Sequence, residues 1–322
     1  MRYRMILLFT CVLCLVLATN ADAASINTPS CQPTPTSSAS LITAKIEDIS
    51  ADQSSMQIRC RQDNNLTTTT IAVTNPALKA TLQHFGEGDL VVLQHSQEAG
   101  LESLSVVTQE LAWVTRIVTL ISTAIGLLGI FLWFLGFNFR SLKNLIVGQD
   151  NRYSNSKTQI VLWFSILIIT YIASIVLRSC YGGIDFVGGV TIPQNLLLLS
   201  GLSALTFATA KGITEFRISS GKKTSLEKDD PKFPGDLFQD DEGRVDLGDF
   251  QMIIITLLAV FVYLAQVLGF LGTIEFHKAV TLPDVDTTIL ATFGLGQGAY
   301  LAKKFVGDAG GGKLVDSASS GS

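Results

Sequence analysis

Three stretches of this chain are too apolar for a small water-soluble fold to hide together: residues 117–137, 159–177 and 250–271. Each is close to the roughly 20 residues that an α-helix needs to cross a hydrocarbon core of about 30 Å. Two shorter stretches, 194–210 and 287–302, mix apolar residues with Gly, Ser and Thr. In lipid a backbone must satisfy its own hydrogen bonds, so spanning segments are read as helices. The expected fold is an α-helical transmembrane bundle of about five spans. Charge supports this. Only 16% of residues are charged, against about a quarter in soluble domains. The net charge of −4, with no basic stripe, argues against a nucleic-acid partner.

Basic residues orient the bundle, because they are retained on the cytoplasmic side. Arg140, Lys143, Arg152 and Lys157 follow the first span. Lys211, Arg217, Lys222, Lys223, Lys228, Lys232 and Arg244 lie between the third and fourth. Lys303, Lys304 and Lys313 follow the fifth. The two loops on the other side hold only Arg178 and Lys278. The fifth segment admits two readings, spanning or re-entrant. A re-entrant segment would put Lys303 and Lys304 outside, against the rule, so spanning is expected. Residues 24–116 are then extracytoplasmic and the C-terminus is cytoplasmic.

Ahead of the first span, residues 1–23 read as a secretory signal peptide. Arg2 and Arg4 supply the charge, residues 5–17 the apolar stretch, and Ala21-Asp22-Ala23 the small-x-small cleavage site. An uncleaved anchor is the competing reading, and the short apolar stretch speaks against it. Residues 24–40 are a Ser/Thr/Pro linker. Export permits a disulfide between Cys31 and Cys60, while Cys180 reads as a lone thiol. Without a CxxC pair, neither redox nor zinc chemistry is indicated.

Residues 41–110 alternate apolar and polar side chains, as in Leu41-Ile42-Thr43-Ala44-Lys45-Ile46-Glu47 and Met56-Gln57-Ile58-Arg59-Cys60. Period two marks half-buried strands. With a helix opening at Pro76, the order is β-β-β-α-β-β. This suits a small extracytoplasmic β-rich, OB-like domain. Its surface lacks the basic and stacking residues that nucleic-acid-binding barrels use, so protein contact or plain structure is its expected role.

The membrane part contains an internal duplication. Tyr171-Ile172-Ala173-Ser174-Ile175 matches Tyr263-Leu264-Ala265-Gln266-Val267. Val190-Thr191-Ile192-Pro193 matches Val280-Thr281-Leu282-Pro283. Gly201-Leu202-Ser203 matches Gly294-Leu295-Gly296, and Gln159 matches Gln251. Each unit is one helical hairpin, giving two tandem hairpin repeats at 158–212 and 250–304. The remaining segments are the first span at 111–137, cytoplasmic loops at 138–157 and 213–249, and a flexible tail at 305–322. Ser200, Ala204 and Ala208 recur every fourth position, as do Gly294 and Gly298. Such spacing lets backbones approach closely in lipid. Gly201, Ser203, Ala204, Ala208, Gly294, Gly296 and Gly298 are therefore the expected helix-packing residues, or the lining of a pore.

The opening Arg152-Tyr153-Ser154-x-Ser156-x-x-Gln159-x-x-x-Trp163 and the helix Leu199-Ser200-Gly201-Leu202-Ser203 up to Lys211 resemble an uncharacterised family of bacterial polytopic membrane proteins. A second opening in that family is similar to residues 236–251, although no Trp follows Gln251 here. The resemblance covers residues 152–304. It implies a duplicated two-helix architecture in a bacterial inner membrane and no activity.

Candidate chemistry is sparse. Asp240, Glu242, Asp246 and Asp249 echo an EF-hand loop, but Phe238 stands at its first ligand position and Asp249 where a bidentate Glu belongs. The plainer reading is an acidic turn that caps the fourth span. Gln159 and Gln251 could bond across the repeats or merely anchor at the interface. Gln266 and Gln297 lie within spans and should bond to neighbouring helices. His84, His95 and His277 are scattered, and no nucleophile motif is present. No enzyme, cofactor or resident metal is expected. The leading expectation is a non-enzymatic membrane scaffold or signal-coupling protein, in contact with the bilayer and with a protein partner or a second copy. The reading from another class is an oligomeric channel or passive permease lined by the small-residue helices.

Overall fold

A computed structural model describes residues 40–62, 65–96, 100–136, 139–148, 151–219, 233–238 and 246–306. The signal peptide, all of the linker but Ser40, Cys31, Asp240, Glu242 and the tail from residue 307 lie outside the described residues. In chain order the elements are β1 (Ser40–Ile49), β2 (Ser55–Gln62), β3 (Asn65–Ala72), α1 (Pro76–Leu82), β4 (Leu90–Ser96), β5 (Gly100–Val106) and β6 (Thr108–Glu110). They continue with α2 (Trp113–Phe134), α3 (Phe139–Ile146), α4 (Asn155–Gly182), β7 (Val190–Thr191), α5 (Gln194–Ser219) and α6 (Leu247–Phe270). The last are β8 (Thr273–Glu275), β9 (Val280–Thr281) and α7 (Thr287–Val306).

Three of these helices, α2, α4 and α6, are long and apolar enough to cross a membrane. They are the three stretches that dominate the sequence. α5 and α7 are helices of 26 and 20 residues with more Ser, Thr and Gly in them. The short helix α3 falls inside the segment read above as a loop.

The chain folds as two compact units. The first comprises Met1–Phe131, Ile168–Ile192 and Gln266–Pro283. Its centre is an antiparallel sheet in the order β3-β2-β1-β4-β5, with α1 between β3 and β4 in the chain. Period-two patterning builds it. Ala44, Ile46, Met56, Ile58, Cys60, Val91 and Leu93 point into one core with Ile71, Val73, Leu82 and Leu101. Between them Lys45, Gln57 and Arg59 point away, and Arg59 pairs with Glu47 on that face. α1 starts where it does because Asn75 caps it, its Oδ1 accepting from the Ala77 amide at 2.9 Å, and because Pro76 sits in the first turn.

Two small ladders extend this unit. β6 pairs antiparallel with β8, Gln109 opposite Ile274. β7 pairs parallel with β9, Val190 opposite Val280 and Thr191 opposite Thr281. The two threonine hydroxyls meet at 2.9 Å. Gly189 makes that approach possible. Its φ is +66°, and a Cβ there would collide with the carbonyl of Lys278.

The second unit comprises Leu132–Leu167, Pro193–Ala265 and Asp284–Ser322. Here α5 packs along α7, and Ala210, Met252 and Tyr300 form a buried cluster with Leu301 against it. Trp163, fully buried, lies edge-on to Tyr263 and Phe293 with ring centroids 6.3 and 6.2 Å away. Asp246 caps α6, its Oδ1 accepting from the amides of Gly248 at 2.8 Å and Asp249 at 3.3 Å. Asp286 does the same for α7 through the Thr288 amide at 2.7 Å.

Candidate functional site

A dense polar arrangement in the first unit lies where the strand after α6 meets the sheet. Residues 272–276 are zipped to the β-rich domain through the backbone. The Leu111 amide donates to Gly272, the Phe276 amide to Val107, and the Leu90 amide to Phe276, all at 2.8–3.1 Å. Phe276 is completely buried, edge-on to Phe186 at 5.4 Å. Burying a Phe side chain stabilises by about 1.5–3 kcal/mol.

Two buried charged side chains then grip the following turn, one through its amide and ring N–H, the other through its carbonyls. Asp89, 3% exposed, ends the Gly86–Asp89 turn. Its Oδ1 accepts from the Lys278 amide at 2.6 Å and its Oδ2 from the Gly86 amide at 3.0 Å. The same Oδ2 lies 2.8 Å from His277 Nδ1. An ionised carboxylate only accepts, so Nδ1 carries the proton in this pair. The His277 ring also tilts against Phe85 at 5.5 Å. From α4, Arg178, likewise 3% exposed, donates from Nη1 to the Glu275 carbonyl at 3.0 Å. Its Nη2 donates to the carbonyls of His277 at 2.5 Å and Lys278 at 3.4 Å. Its guanidinium stands 5.7 Å from the Phe186 ring centroid. The charge that compensates it is the carboxylate of Asp89. At the rim Lys45 pairs with Asp185 at 2.5 Å, and Lys278 donates to the Asp185 carbonyl. That hydrogen bond and the Lys45 charge hold the Asp185 carboxyl below the usual carboxylate range.

Beside Arg178 is a cavity of about 250 Å³. The last turns of α4 and α6 line it with Leu177, Gly269 and Phe270, and the strand beyond supplies Leu271, Ile274 and Val280. Its walls are mostly apolar. Arg178 lines it too, and its Nε–H is buried without a hydrogen-bond partner among the described residues.

In the second unit, the polar residues do not meet as the sequence match would pair them. Gln159, 1% exposed, donates to the Thr256 hydroxyl at 2.5 Å, and its Oε1 accepts from Gln297 Nε2 at 2.7 Å. Gln251, the counterpart of Gln159 in sequence, is exposed, as is Gln266. Gln297 does bond to a neighbouring helix. Of the small residues, Ser203 and Gly296 are buried, Ala204 and Gly294 are half-buried, and Gly201, Ala208 and Gly298 are exposed. Ser203 returns its hydroxyl to the Leu199 carbonyl at 3.1 Å. A Cβ at Gly296 would touch Ile255 at 3.3 Å, whereas one at Gly201 or Gly298 would meet nothing within 4 Å.

Of the acidic turn, Asp246 is engaged in capping, Asp249 lies in the first turn of α6, and Asp240 and Glu242 are outside the described residues. Cys60 is disulfide-bonded, and its partner lies outside the described residues together with Cys31. Cys180 is free. Sequence reasoning overlooked the clamp. Asp89 reads only as a turn residue, Arg178 as a loop charge and His277 as one of three scattered histidines. Nothing local signals a meeting across 188 residues.

No protein-family model, no curated protein and no solved structure matches the chain.

Proposed function

We propose that this protein is a non-enzymatic membrane scaffold or signal-coupling protein of the bacterial inner membrane. Its extracytoplasmic β-rich domain engages a protein partner, and its duplicated helical hairpins carry the bound state towards the cytoplasmic loop. The observation that carries this reading is the clamp of Asp89 and Arg178 on residues 275–278. It makes the β-rich domain and the segments that follow α4 and α6 one body within the first unit. A partner that shifts the sheet therefore acts directly on the ends of two membrane-crossing helices.

The finer architecture belongs to the same proposal. The strand order β3-β2-β1-β4-β5, with α1 before β4, supports an OB-like domain. The in-register pairing of Val190-Thr191 with Val280-Thr281 supports the duplication, since matching motif residues face each other. The lengths of α5 and α7 and their mutual packing support five spans. The distribution of basic residues supports a β-rich domain outside and a C-terminus inside.

A second reading, an oligomeric channel or passive permease, draws on Gly201, Ala208 and Gly298. They leave a small-residue surface on α5 and α7 against which another copy could pack. Purifying the full-length tagged protein from its own membrane in mild detergent separates the two. A stoichiometric heterologous partner, lost when residues 41–110 are deleted, is the expected result. A symmetric homo-oligomer that conducts ions in planar bilayers would overturn the scaffold reading.

A further inference from the structure

We propose that the cavity beside Arg178 binds an amphipathic monoanion, with its acyl chain among Leu177, Phe270, Leu271, Ile274 and Val280 and its acidic oxygen on the Arg178 Nε–H. This inference does not depend on the scaffold reading.

The cavity sets the size and polarity of the ligand. At about 250 Å³ it lies near the lower end of small-molecule sites, which run from about 300 to 1,000 Å³. Its walls suit a chain of methylenes and offer few polar partners. Ser174 lines it as well, but its hydroxyl already donates to the Thr170 carbonyl at 2.8 Å.

Arg178 sets the charge. Arginine does not deprotonate in proteins, and a buried donor left unmatched is costly. The two terminal nitrogens of Arg178 are committed to neutral carbonyls, and Asp89 is shared with His277 and two backbone amides. That leaves the Nε–H, on a side chain that lines the cavity. The Nε has almost no open surface as it stands, so a carboxylate or phosphodiester oxygen reaches it as the guanidinium turns towards the cavity, and then gains a charge-assisted bond, roughly twice as strong as a neutral one. Glu275 also lines the cavity and repels any anion there, a dianion more strongly, so the ligand is limited to a single negative charge held by Arg178.

The place sets the source. The cavity is built by the last turns of two helices apolar enough to cross a membrane, where acyl chains and acidic headgroups of lipids are to hand. An ionisable side chain in such a helix is by itself a reason to look for a partner. A free fatty acid and an acidic phospholipid share the required chemistry.

The test uses the full-length protein in a non-ionic detergent. Its thermal midpoint is measured with dodecanoate, dodecanol, phosphatidylglycerol and phosphatidylcholine. Dodecanoate or phosphatidylglycerol should raise the midpoint by several degrees, and their neutral or zwitterionic counterparts should not. A response to dodecanoate alone assigns a free fatty acid. A response to phosphatidylglycerol assigns a membrane phospholipid. Because Arg178 also holds the fold, the decisive variants leave it intact and fill the cavity from either wall: Gly269→Phe, whose added Cβ meets nothing within 4 Å, and Ser174→Leu. At least one should keep the unliganded midpoint and bind the anion at least tenfold more weakly. Equal shifts with dodecanol and dodecanoate, no shift with any probe, or wild-type shifts in both filled variants would each overturn the proposal.

Discussion

The Asp89 carboxylate receives the Nδ1–H of His277 at 2.8 Å, across 188 residues of chain. It also receives the amide of the next residue, Lys278, at 2.6 Å. One buried side chain of the β-rich domain thus sets both the position and the backbone direction of the turn after β8. The arrangement is costly to break from one side only, because the donors it leaves behind are then unmatched. Asp89→Ala should lose about 3 kcal/mol of stability, while His277→Ala, which leaves both backbone amides satisfied, should lose about 1 kcal/mol. Denaturant unfolding followed by the fluorescence of an engineered tryptophan in the sheet measures both. Equal losses in the two variants would show that the ring, rather than the amides, carries the clamp.

The ladder between β7 and β9 gives a sharper test, because it depends on one residue with no side chain. Gly189 has a left-handed backbone, and any Cβ there points into the Lys278 carbonyl. Left-handed strain alone costs a non-glycine residue about 1–3 kcal/mol, and the collision adds to it. Gly189→Ala should therefore destabilise by more than about 2 kcal/mol. It should also expose residues 188–192 to added protease. Gly188→Ala serves as a control. Its φ is also positive, but its Cβ meets nothing within 4 Å, so the difference between the two variants reports the collision.

The polar contact between Gln159 and Gln297 should behave as a modest glue. Interhelical side-chain hydrogen bonds in membranes average about 0.6 kcal/mol and reach about 1.7 kcal/mol. A double-mutant cycle with Gln159→Leu and Gln297→Leu should give a coupling near 1 kcal/mol. Gln251→Leu should be silent, because that side chain is exposed. A cost at Gln251 matching that at Gln159 would contradict the arrangement described for the second unit.

These three cases mark how far the sequence could be read. Strands, the first helix and the apolar helices were legible because period-two alternation, Asn75-Pro76 and long apolar runs are local signals. β6 and β8 were not, since three-residue segments such as Thr108–Glu110 have no period to detect and are strands only because their partner is present. The motif match between Val190-Thr191 and Val280-Thr281 marked positions that prove to be neighbours. The match of Gln159 with Gln251 left bonding and interfacial anchoring both open, and the two side chains differ in burial. A sequence match aligns positions, but burial depends on what packs against each of them. Gln159 has Thr256 and Gln297 beside it, and Gln251 faces outward. The clamp was illegible for a different reason. A buried Asp and a buried Arg look like ordinary surface charges until the chain brings their backbone partners to them.

Acid should weaken the rim of the first unit. Lys45 holds the Asp185 carboxyl below its ordinary range, chiefly through their hydrogen bond and then through its charge. A depressed carboxylate contributes stability above its unfolded pKa and loses it as pH falls through the folded value. Asp185 is largely exposed, so the contribution is small and salt-sensitive. The unfolding midpoint of Asp185→Asn should lie slightly below that of the parent at neutral pH. The two should converge once the pH is well below about 4. A gap that widens on acidification would mean that Asp185 is repelled, not held, by its surroundings.

The disulfide at Cys60 ties β2 to a cysteine outside the described residues. Cys60 is 2% exposed within the core of the sheet, so the bond is shielded from reductant until the sheet opens. On the proposed export of residues 24–116, Cys31 is the expected partner. Alkylation of the unreduced, denatured protein should then label Cys180 and leave Cys31 and Cys60 unmodified. Digestion should yield one cross-linked peptide pair containing both. Cys31→Ser and Cys60→Ser should each cost about 2–4 kcal/mol, with Cys60→Ser costing more because it also buries a hydroxyl within the apolar core of the sheet. If Cys31→Ser leaves stability unchanged and Cys31 is alkylated in the unreduced protein, the bond runs elsewhere, and the segment before β1 is not anchored to the sheet at that point.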